Sequence, residues 1–451
     1  MPSDAVTNGT APRRFVPHRV LRAAQAFINL EASSGIFLLV AAIGALIWAN
    51  SPWDQSYFDL LHTEIVIDLR IFSVDEDLQH IVNDGLMTLF FFLMGLEIKR
   101  EMAHGELSSV RRAALPAAAA FGGMLVPALI YVALNAGSDA ANGWGIPMAT
   151  DIAFALGVLS LLGNRIPFTA KVFLLALAIA DDIGAILVIA VFYTAQVDFT
   201  ALLAAGAILG GILLMIRTGV RSTELYLAAG VCLWAATFES GVHATLAGVA
   251  LGLLTPAKPL YDPSTFATEA RGLIGTFEAT RDAQEQQMVL AEVEDLSRGS
   301  EAPLERLERA LHPWVSYLIV PLFALMNAGV SVSGGVASDA LSSPVSQGVA
   351  LGLLLGKPLG IFSFTWLAVR AGIGELPRGV SWSEIFGIGL LGGIGFTVSL
   401  LVTSLALPDD QFGAEARLGV LGASVVAGIV GYTFLLLASR KRATLELNPE
   451  S

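Results

Sequence analysis

Three long stretches of the chain carry no charged side chain, and they constrain the fold more than any other feature. No Asp, Glu, Lys or Arg occurs within residues 113–134, 385–407 or 418–438. About 20 residues at about 1.5 Å per residue cross the hydrocarbon core of a bilayer as an α-helix. Only 14% of the 451 residues are charged, whereas a soluble chain carries about a quarter. The sequence therefore predicts an all-α polytopic membrane protein.

Twelve apolar segments are candidates for transmembrane helices, and they are numbered in chain order as spans 1 to 12. They cover residues 32–50, 79–98, 113–134, 143–161, 170–194, 199–216, 223–237, 240–254, 313–330, 347–369, 384–406 and 416–438. Spans 7 and 8 are short, and a shallow or re-entrant pair is an alternative for them. We expect a membrane domain at residues 32–438, between tails at 1–31 and 439–451.

The distribution of Lys and Arg predicts the orientation of the chain, because these residues accumulate on the cytoplasmic side of a membrane. Of the 26 basic residues, 17 lie in the two tails and in the connections on the same side as the tails. The opposite side holds only Arg70 and Arg417, while the long connection 255–312 holds six bases and eleven acids. Both termini are therefore predicted to be cytoplasmic.

Two connections are long enough to contain secondary structure of their own. In the outer connection 51–79, the apolar residues Ile65, Ile67, Leu69 and Ile71 occupy every second position. This alternation predicts a β-hairpin on the outer surface. In the cytoplasmic connection 255–312, the charged and Gln-rich residues 280–297 are predicted to form a helix that serves as a solvated spacer.

Four ionisable side chains fall near the middle of three different spans. Asp151 lies about 12 Å into span 4, Asp181 and Asp182 lie about 17 Å into span 5, and Lys357 lies about 15 Å into span 10. Each such group costs about 2.5–3.5 kcal/mol at a helix centre. Three carboxylates face one ammonium, so two acids must be protonated, hydrated or bound to a cation. A buried ion-pair cluster that only fixes helix packing is the alternative, and the charge imbalance argues against it.

The adjacent acids Asp181 and Asp182 cannot occupy equivalent places. Consecutive helical residues differ by about 100° in direction, so both can border one cavity while one of them faces a neighbouring helix. Acids this close titrate as a coupled pair. Thr150 adds a hydroxyl and a carbonyl beside Asp151, and oxygen ligands of this kind suit a small hard cation rather than a transition metal.

Helix-breaking residues interrupt spans 4 and 11 at this same depth. Span 4 has two glycines and a proline within residues 143–147, and span 11 has four glycines within residues 389–395. Close helix packing explains a single glycine, but four in seven residues favour unwinding. Broken helices expose partly positive N-terminal and partly negative C-terminal ends. We therefore expect Asp151 to face N-terminal ends and Lys357 to face C-terminal ends, as at the midplane site of a secondary transporter.

The chain resembles the NhaA-type sodium/proton antiporters over nearly the whole membrane region. The segments that carry the resemblance are Asn83–Gly85, Gly95–Glu101, Ala149–Gly157, Ala180–Ile186, Ser240–Gly248, Leu311–Val315, Asn327–Gly329, Leu355–Gly360 and Gly393–Thr397. The resemblance implies inverted repeats formed by spans 3–5 and 10–12, with spans 4 and 11 broken and crossing. It also implies exchange of Na+, or Li+, for H+ across a bacterial inner membrane, for sodium and pH homeostasis.

The resemblance further implies roles for individual residues. Asp181 and Asp182 would bind Na+ and H+, with Asp182 the more direct ligand. Lys357 would pair with Asp181 when no cation is bound, and Thr150 and Asp151 would complete the cation- and proton-binding site at the crossing. No cofactor is implied.

Three side chains near the cytoplasmic helix ends would belong to a pH-sensing funnel by the same resemblance. They are Glu97, Glu308 and His312, for which solvation or packing at helix ends is an equally good explanation. Arg309 stands where the best-known member of the family has a histidine, which predicts shifted or weaker pH regulation.

The expected partners are Na+, H+, the lipid bilayer and a second copy of the chain bound through the outer connection 51–79, with no nucleic acid. Transport is expected to be electrogenic. Two other readings remain open at this level. An intramembrane aspartyl protease would use two carboxylates to activate water, although adjacent acids on one helix converge poorly. A passive cation channel would conduct without proton coupling.

Overall fold

The computed structural model describes residues 18–68, 73–194, 197–220, 223–332, 342–407 and 410–447. Three predicted features lie partly outside these ranges: the first 17 residues of the N-terminal tail, the turn of the outer hairpin at 69–72 with Arg70, and the last four residues of the C-terminal tail.

The described chain is almost entirely helical, and each predicted span corresponds to a helix or a helix pair. In chain order they are His18–Ala49, Leu78–His104, Val110–Asn135, Asp139–Met148 with Ile152–Leu161, Phe168–Phe192, Phe199–Arg217, Thr223–Glu239, Thr245–Leu254, Pro303–Asn327, Pro344–Arg370, Trp382–Gly392 with Phe396–Ala406, and Asp410–Leu447. The predicted all-α membrane fold is confirmed.

The number of membrane crossings is fixed less firmly than the helices themselves. Within the described residues, seven helices are long and apolar enough to cross a membrane, and three bent pairs raise the count to as many as ten. Span 7 has 17 residues and span 8 has 10, so each falls short of a full crossing by length. A total of twelve crossings therefore stays a prediction.

The outer connection forms the expected hairpin. Glu64–Asp68 and Ser73–Asp77 pair antiparallel, with Glu64 opposite Asp77 and Ile67 opposite Val74. A short helix, Asp54–Leu61, precedes the hairpin and bends by 116° from span 1.

The cytoplasmic connection is more ordered than the sequence predicts. The expected charged helix is present as Ala283–Ser300, but a second helix, Pro263–Ala279, precedes it. Asp262 caps this helix by accepting hydrogen bonds from two backbone N–H groups, and Pro263 occupies the first helical turn, both common start signals. Span 9 also begins at Pro303, ten residues before the predicted position, so Glu308 and His312 lie within the span.

Spans 3–5 and 10–12 share one order: an unbroken helix, a broken helix and an unbroken helix. The broken spans 4 and 11 bend by 42° and 46° at their breaks. Spans 3 and 10 pack backbone to backbone, because a Cβ atom on Gly360 would collide with the carbonyl of Gly122, and one on Gly356 would lie 2.8 Å from Cα of Pro127. This close contact fixes the position of Lys357 on span 10.

Candidate functional site

The breaks of spans 4 and 11 cross and are hydrogen-bonded to each other. The backbone N–H of Asp151 donates to the carbonyl of Ile394 at 2.7 Å, and the Thr150 hydroxyl donates to the carbonyl of Gly392 at 2.9 Å. Glycine is required here for a second reason besides unwinding. A Cβ atom on Gly393 would lie 2.5 Å from the carbonyl oxygen of Leu353 on span 10.

Asp151 contacts the N-terminal ends of two half-helices, Ile152–Leu161 of span 4 and Phe396–Ala406 of span 11, and so joins the two broken spans. Its Oδ1 accepts from the N–H of Phe154 at 3.0 Å and so caps Ile152–Leu161. Its Oδ2 accepts from the N–H of Thr397 at 3.1 Å and from the Thr397 hydroxyl at 2.7 Å. The expectation that Asp151 faces N-terminal ends is confirmed, since a carboxylate stabilises the partial positive charge there.

Lys357 makes a fully buried ion pair with Asp181. Its Nζ donates to Oδ2 of Asp181, and neither side chain is more than 2% exposed. The expectation that Lys357 faces C-terminal helix ends stays a prediction, because none of its described contacts tests it. The carbonyls of Gly392 and Ile394 at the break of span 11 accept hydrogen bonds from Thr150 and Asp151.

Asp182 borders a cavity of about 60 Å³ that Asp181 and Lys357 do not line. This is room for a few water molecules or a partly hydrated small cation. The Oδ1 of Asp182 has no hydrogen-bond partner in the described part of the chain. The cavity wall contains seven side chains with oxygen atoms: Ser34, Glu97, Thr150, Asp151, Asp182, Ser316 and Thr397.

Thr150 connects the ion pair to the cavity. It lines the cavity and also lies beside Asp181, through its hydroxyl and its backbone. Because its hydroxyl proton is directed to Gly392, the lone pairs of Oγ1 are available to a cation. Asp151 lines the same wall but already accepts three hydrogen bonds, so Asp182 is the carboxylate with the most unused acceptor capacity.

The three candidate pH sensors lie at one end of this cavity, but they have different surroundings. Glu97 lines it directly. Glu308 accepts a hydrogen bond from Arg100 of span 2. Arg100 was not predicted as a site residue, although it lies within Gly95–Glu101, one of the segments that carry the family resemblance. His312 lies within hydrogen-bonding distance of Ser316, 3.1 Å from its Nδ1 to Oγ, and Ser316 is on the cavity wall.

Arg309, the departure from the family pattern, faces away from the cavity. Its guanidinium donates two hydrogen bonds to the carboxylate of Glu301, just before span 9. These bonds lower the pKa of Glu301. Arg309 therefore ties the start of span 9 to the end of helix Ala283–Ser300.

Three oxygen-bearing side chains of the cavity wall, Ser34, Ser316 and Thr397, were not predicted as site residues. Thr397 donates to Asp151 and lines the cavity, and its signal was its place at the end of the glycine-rich segment of span 11. Ser34 of span 1 also lines the cavity, and nothing in its local sequence distinguishes it from a packing serine. The arrangement also argues against a protease dyad, because Asp181 is engaged by Lys357 and does not converge with Asp182.

Known proteins are similar to this chain in sequence along almost its whole length. The family model described as Na+/H+ antiporter 1 matches residues 25–435. Na(+)/H(+) antiporter NhaA 2 of Sorangium cellulosum (strain So ce56) is 49% identical over 421 residues, 92% of this chain and 89% of the relative. Na(+)/H(+) antiporter NhaA of Oleidesulfovibrio alaskensis is 47% identical over 441 residues, 96% of this chain and 97% of the relative. The chain belongs to the Na+/H+ antiporter 1 family.

Proposed function

We propose that this chain exchanges Na+ for H+ across the membrane, with Asp182 as the residue that binds either ion. The proposal rests on the different surroundings of the adjacent acids Asp181 and Asp182. One oxygen of Asp181 is paired with the Lys357 ammonium, whereas Asp182 borders the cavity and has no ion pair among the described residues; each of the two carboxylates keeps one oxygen without a hydrogen bond there. A buried carboxylate in that position needs a proton or a cation as its counter-charge.

Competition between the two ions follows from the small size of the cavity. Sodium bound to Asp182 and to the lone pairs of Thr150 excludes a proton from the same carboxylate. If the cation also reaches Asp181, it replaces the Lys357 ammonium as the counter-charge of that acid. Lys357 then no longer has an anion to balance its own charge and releases a proton.

Transport is electrogenic in this scheme, because one sodium displaces two protons, from Asp182 and from the Lys357–Asp181 pair. Each cycle then moves net charge, and the membrane potential drives it with about 2.3 kcal/mol per charge per 100 mV. At acid pH the site stays protonated and sodium cannot enter, so transport stops. Li+ is accommodated by the same oxygen ligands.

In this proposal sodium reaches the cavity from the cytoplasmic half of the membrane, because the cavity wall includes Glu97, two residues before the basic pair Lys99 and Arg100. The side chains around it, with Glu308 and His312, adjust sodium access as the cytoplasmic pH changes. Both termini lie in the cytoplasm and the membrane is the bacterial inner membrane. These assignments rest on the distribution of Lys and Arg.

The chain acts as a homodimer through the outer hairpin. A two-stranded sheet leaves two unpaired strand edges, and such edges pair with another chain. Removal of residues 64–77 should convert the dimer to a monomer in native mass spectrometry, without abolishing exchange.

The experiment is sodium-driven proton movement in proteoliposomes. Wild type should move protons when sodium is added at alkaline pH, and should do so faster when a valinomycin-imposed potassium potential favours the net charge movement. Asp182→Asn should reduce the signal to that of empty vesicles. Glu239→Gln, which neutralises an exposed acid at the end of span 7, is the matched control and should exchange like wild type.

Equal activity of wild type and Asp182→Asn would refute the assignment of Asp182. Equal activity at acid and alkaline pH would refute the competition of the two ions, and no response to the imposed potential would refute electrogenicity. Currents without proton movement would favour the passive channel.

A further inference from the structure

A second cavity lies at the other end of spans 3 and 10, away from the exchange site. Its volume is about 400 Å³, and it is formed where span 3 ends at Asn135 and where spans 10 and 12 begin. It shares no lining residue with the cavity at Asp182. Lys357 is 14 residues along span 10 from Ser343, or about 20 Å. Under the predicted orientation this cavity opens to the outer face.

The polar side chains that line the second cavity all carry oxygen atoms. They are the carboxylate of Glu415, the hydroxyls of Ser138, Ser342 and Ser343, and the side-chain amide of Asn135, which also has a nitrogen. Glu415 is buried and is the one charged side chain among the described lining residues. Carboxylate, hydroxyl and amide oxygens are the ligands of hard cations.

Asn135 provides the observation that points to a ligand. Its side chain is 2% exposed, and its Nδ2 donates to the carbonyls of Tyr131 at 3.1 Å and Pro344 at 3.0 Å. These two bonds fix which end of the amide is the oxygen. That oxygen, Oδ1, is buried and accepts no hydrogen bond from the residues described, and a buried acceptor without a partner is costly.

Capping of span 10 explains only part of this arrangement. Ser343 accepts a hydrogen bond from the N–H of Val345 at 3.2 Å and donates to Glu415. An acid near a helix N-terminus is stabilising without any ligand, and this accounts for the contact between Ser343 and Glu415. It leaves the Oδ1 of Asn135 and the size of the cavity unexplained.

We infer that the second cavity binds a hydrated monovalent cation, with Glu415 as the charged ligand and Asn135 Oδ1 as a neutral one. One carboxylate among neutral oxygens carries a single negative charge, which a monovalent ion balances and a divalent ion would exceed. The volume leaves room for the waters that remain on the ion. This site is separate from the exchange site and does not depend on the proposed transport function.

Thermal unfolding of the purified protein tests the inference with Na+ as the probe. The background is Asp182→Asn, so that sodium at the exchange site does not contribute. Sodium chloride should raise the unfolding midpoint of Asp182→Asn by about 1–3 °C over choline chloride at equal ionic strength. Asp182→Asn/Glu415→Gln should lose this increment, and Asp182→Asn/Glu415→Asp should keep part of it.

Asp182→Asn/Glu239→Gln is the matched control, because Glu239 is another acid on the predicted outer side, and it should keep the full increment. The inference is overturned if Glu415→Gln leaves the increment unchanged, or if choline stabilises as well as sodium. A larger increment from calcium at lower concentration would overturn the assignment to a monovalent ion. If Glu415→Gln does not fold, Ser138→Ala in the same background should reduce the increment, and an unchanged increment there would count against the site. A failure of Na+/H+ exchange in proteoliposomes would not change the interpretation of these unfolding measurements, so the two proposals can fail separately.

Discussion

Removing Lys357 should destabilise the protein by far more than removal of a surface lysine, and removing Asp181 as well should restore most of the loss. Lys357 is fully buried, and Asp181 is its partner across spans 5 and 10. Lys357→Met keeps much of the side-chain volume but leaves an uncompensated carboxylate in a site without bulk water. Breaking a buried pair in this way costs about 3–5 kcal/mol.

The double substitution Lys357→Met/Asp181→Asn should return the free energy of unfolding to within about 1 kcal/mol of wild type, because neutral groups need no counter-charge. Asp181→Asn alone should cost a similar amount, because it leaves the buried ammonium unpaired, so the interaction energy from the four proteins is at least about 5 kcal/mol, above the usual range for residues in contact. The cost of Lys357→Met should shrink at acid pH, where the carboxyl becomes neutral by binding a proton.

The measurement is reversible unfolding in mixed micelles, followed by far-ultraviolet circular dichroism at alkaline and acid pH. Arg298 and Glu294 form an exposed pair on one helix, with both side chains more than 60% exposed, and serve as the control cycle, expected below about 1 kcal/mol. A loss below about 1 kcal/mol for Lys357→Met, or a double variant as unstable as the single one, would refute the reasoning.

Three further predictions follow from individual contacts. Thr397→Val removes the hydroxyl that donates to Asp151 and should cost about 1.5–3 kcal/mol of unfolding free energy, measured by the same assay. The bonds from Arg309 lower the pKa of Glu301, so this tie is complete above the ordinary glutamate value of about 4.3. It is lost as the pH falls through the lowered pKa, and the protection factors of the amides at the start of span 9, corrected for the intrinsic pH dependence of exchange, should then fall. Gly360→Ala forces spans 3 and 10 apart and should cost about 1–3 kcal/mol.

The predictions for Thr397→Val and Gly360→Ala each have a control substitution. Thr403→Val removes a buried hydroxyl that donates only to a backbone carbonyl on the same helix, and it should cost about 1 kcal/mol. Gly206→Ala places its methyl group in open space and should be neutral. Equal losses for Thr397 and Thr403 or equal effects at Gly360 and Gly206 would contradict the corresponding argument. For the Arg309–Glu301 contact, the contradicting result is a set of protection factors that does not change between neutral and acid pH.

Much of the site was readable from the sequence because the bilayer simplifies the problem. Helices are obligatory where the backbone has no water to bond with, so depth along a span follows from counting residues. That count brought Asp151, Asp181, Asp182 and Lys357 to one level. The glycines of span 11 marked the break, and the structure has it at residues 393–395.

The helix Pro263–Ala279 was missed for the opposite reason. It lies in a polar connection where no bilayer enforces structure, and its start depends on local capping by Asp262. The early start of span 9 was not predicted, because Glu305, Glu308 and two arginines lower the hydropathy of this segment below that of a membrane span. The same charged segment supplies the contacts of Glu308 with Arg100 and of Arg309 with Glu301.

The amino-acid sequence is enough to identify a membrane protein with acids inside its helices, because burying charge in lipid is costly and such residues therefore stand out within apolar segments. The different roles of the two adjacent acids depend on the packing of the helices around them. Adjacent carboxylates differ by about 100° around a helix, and the neighbouring helices decide that Asp181 meets Lys357 while Asp182 meets the cavity. The crossing of the two broken helices is likewise a tertiary feature, because the carbonyl of Gly392 accepts from the hydroxyl of Thr150, a contact between residues more than 240 positions apart.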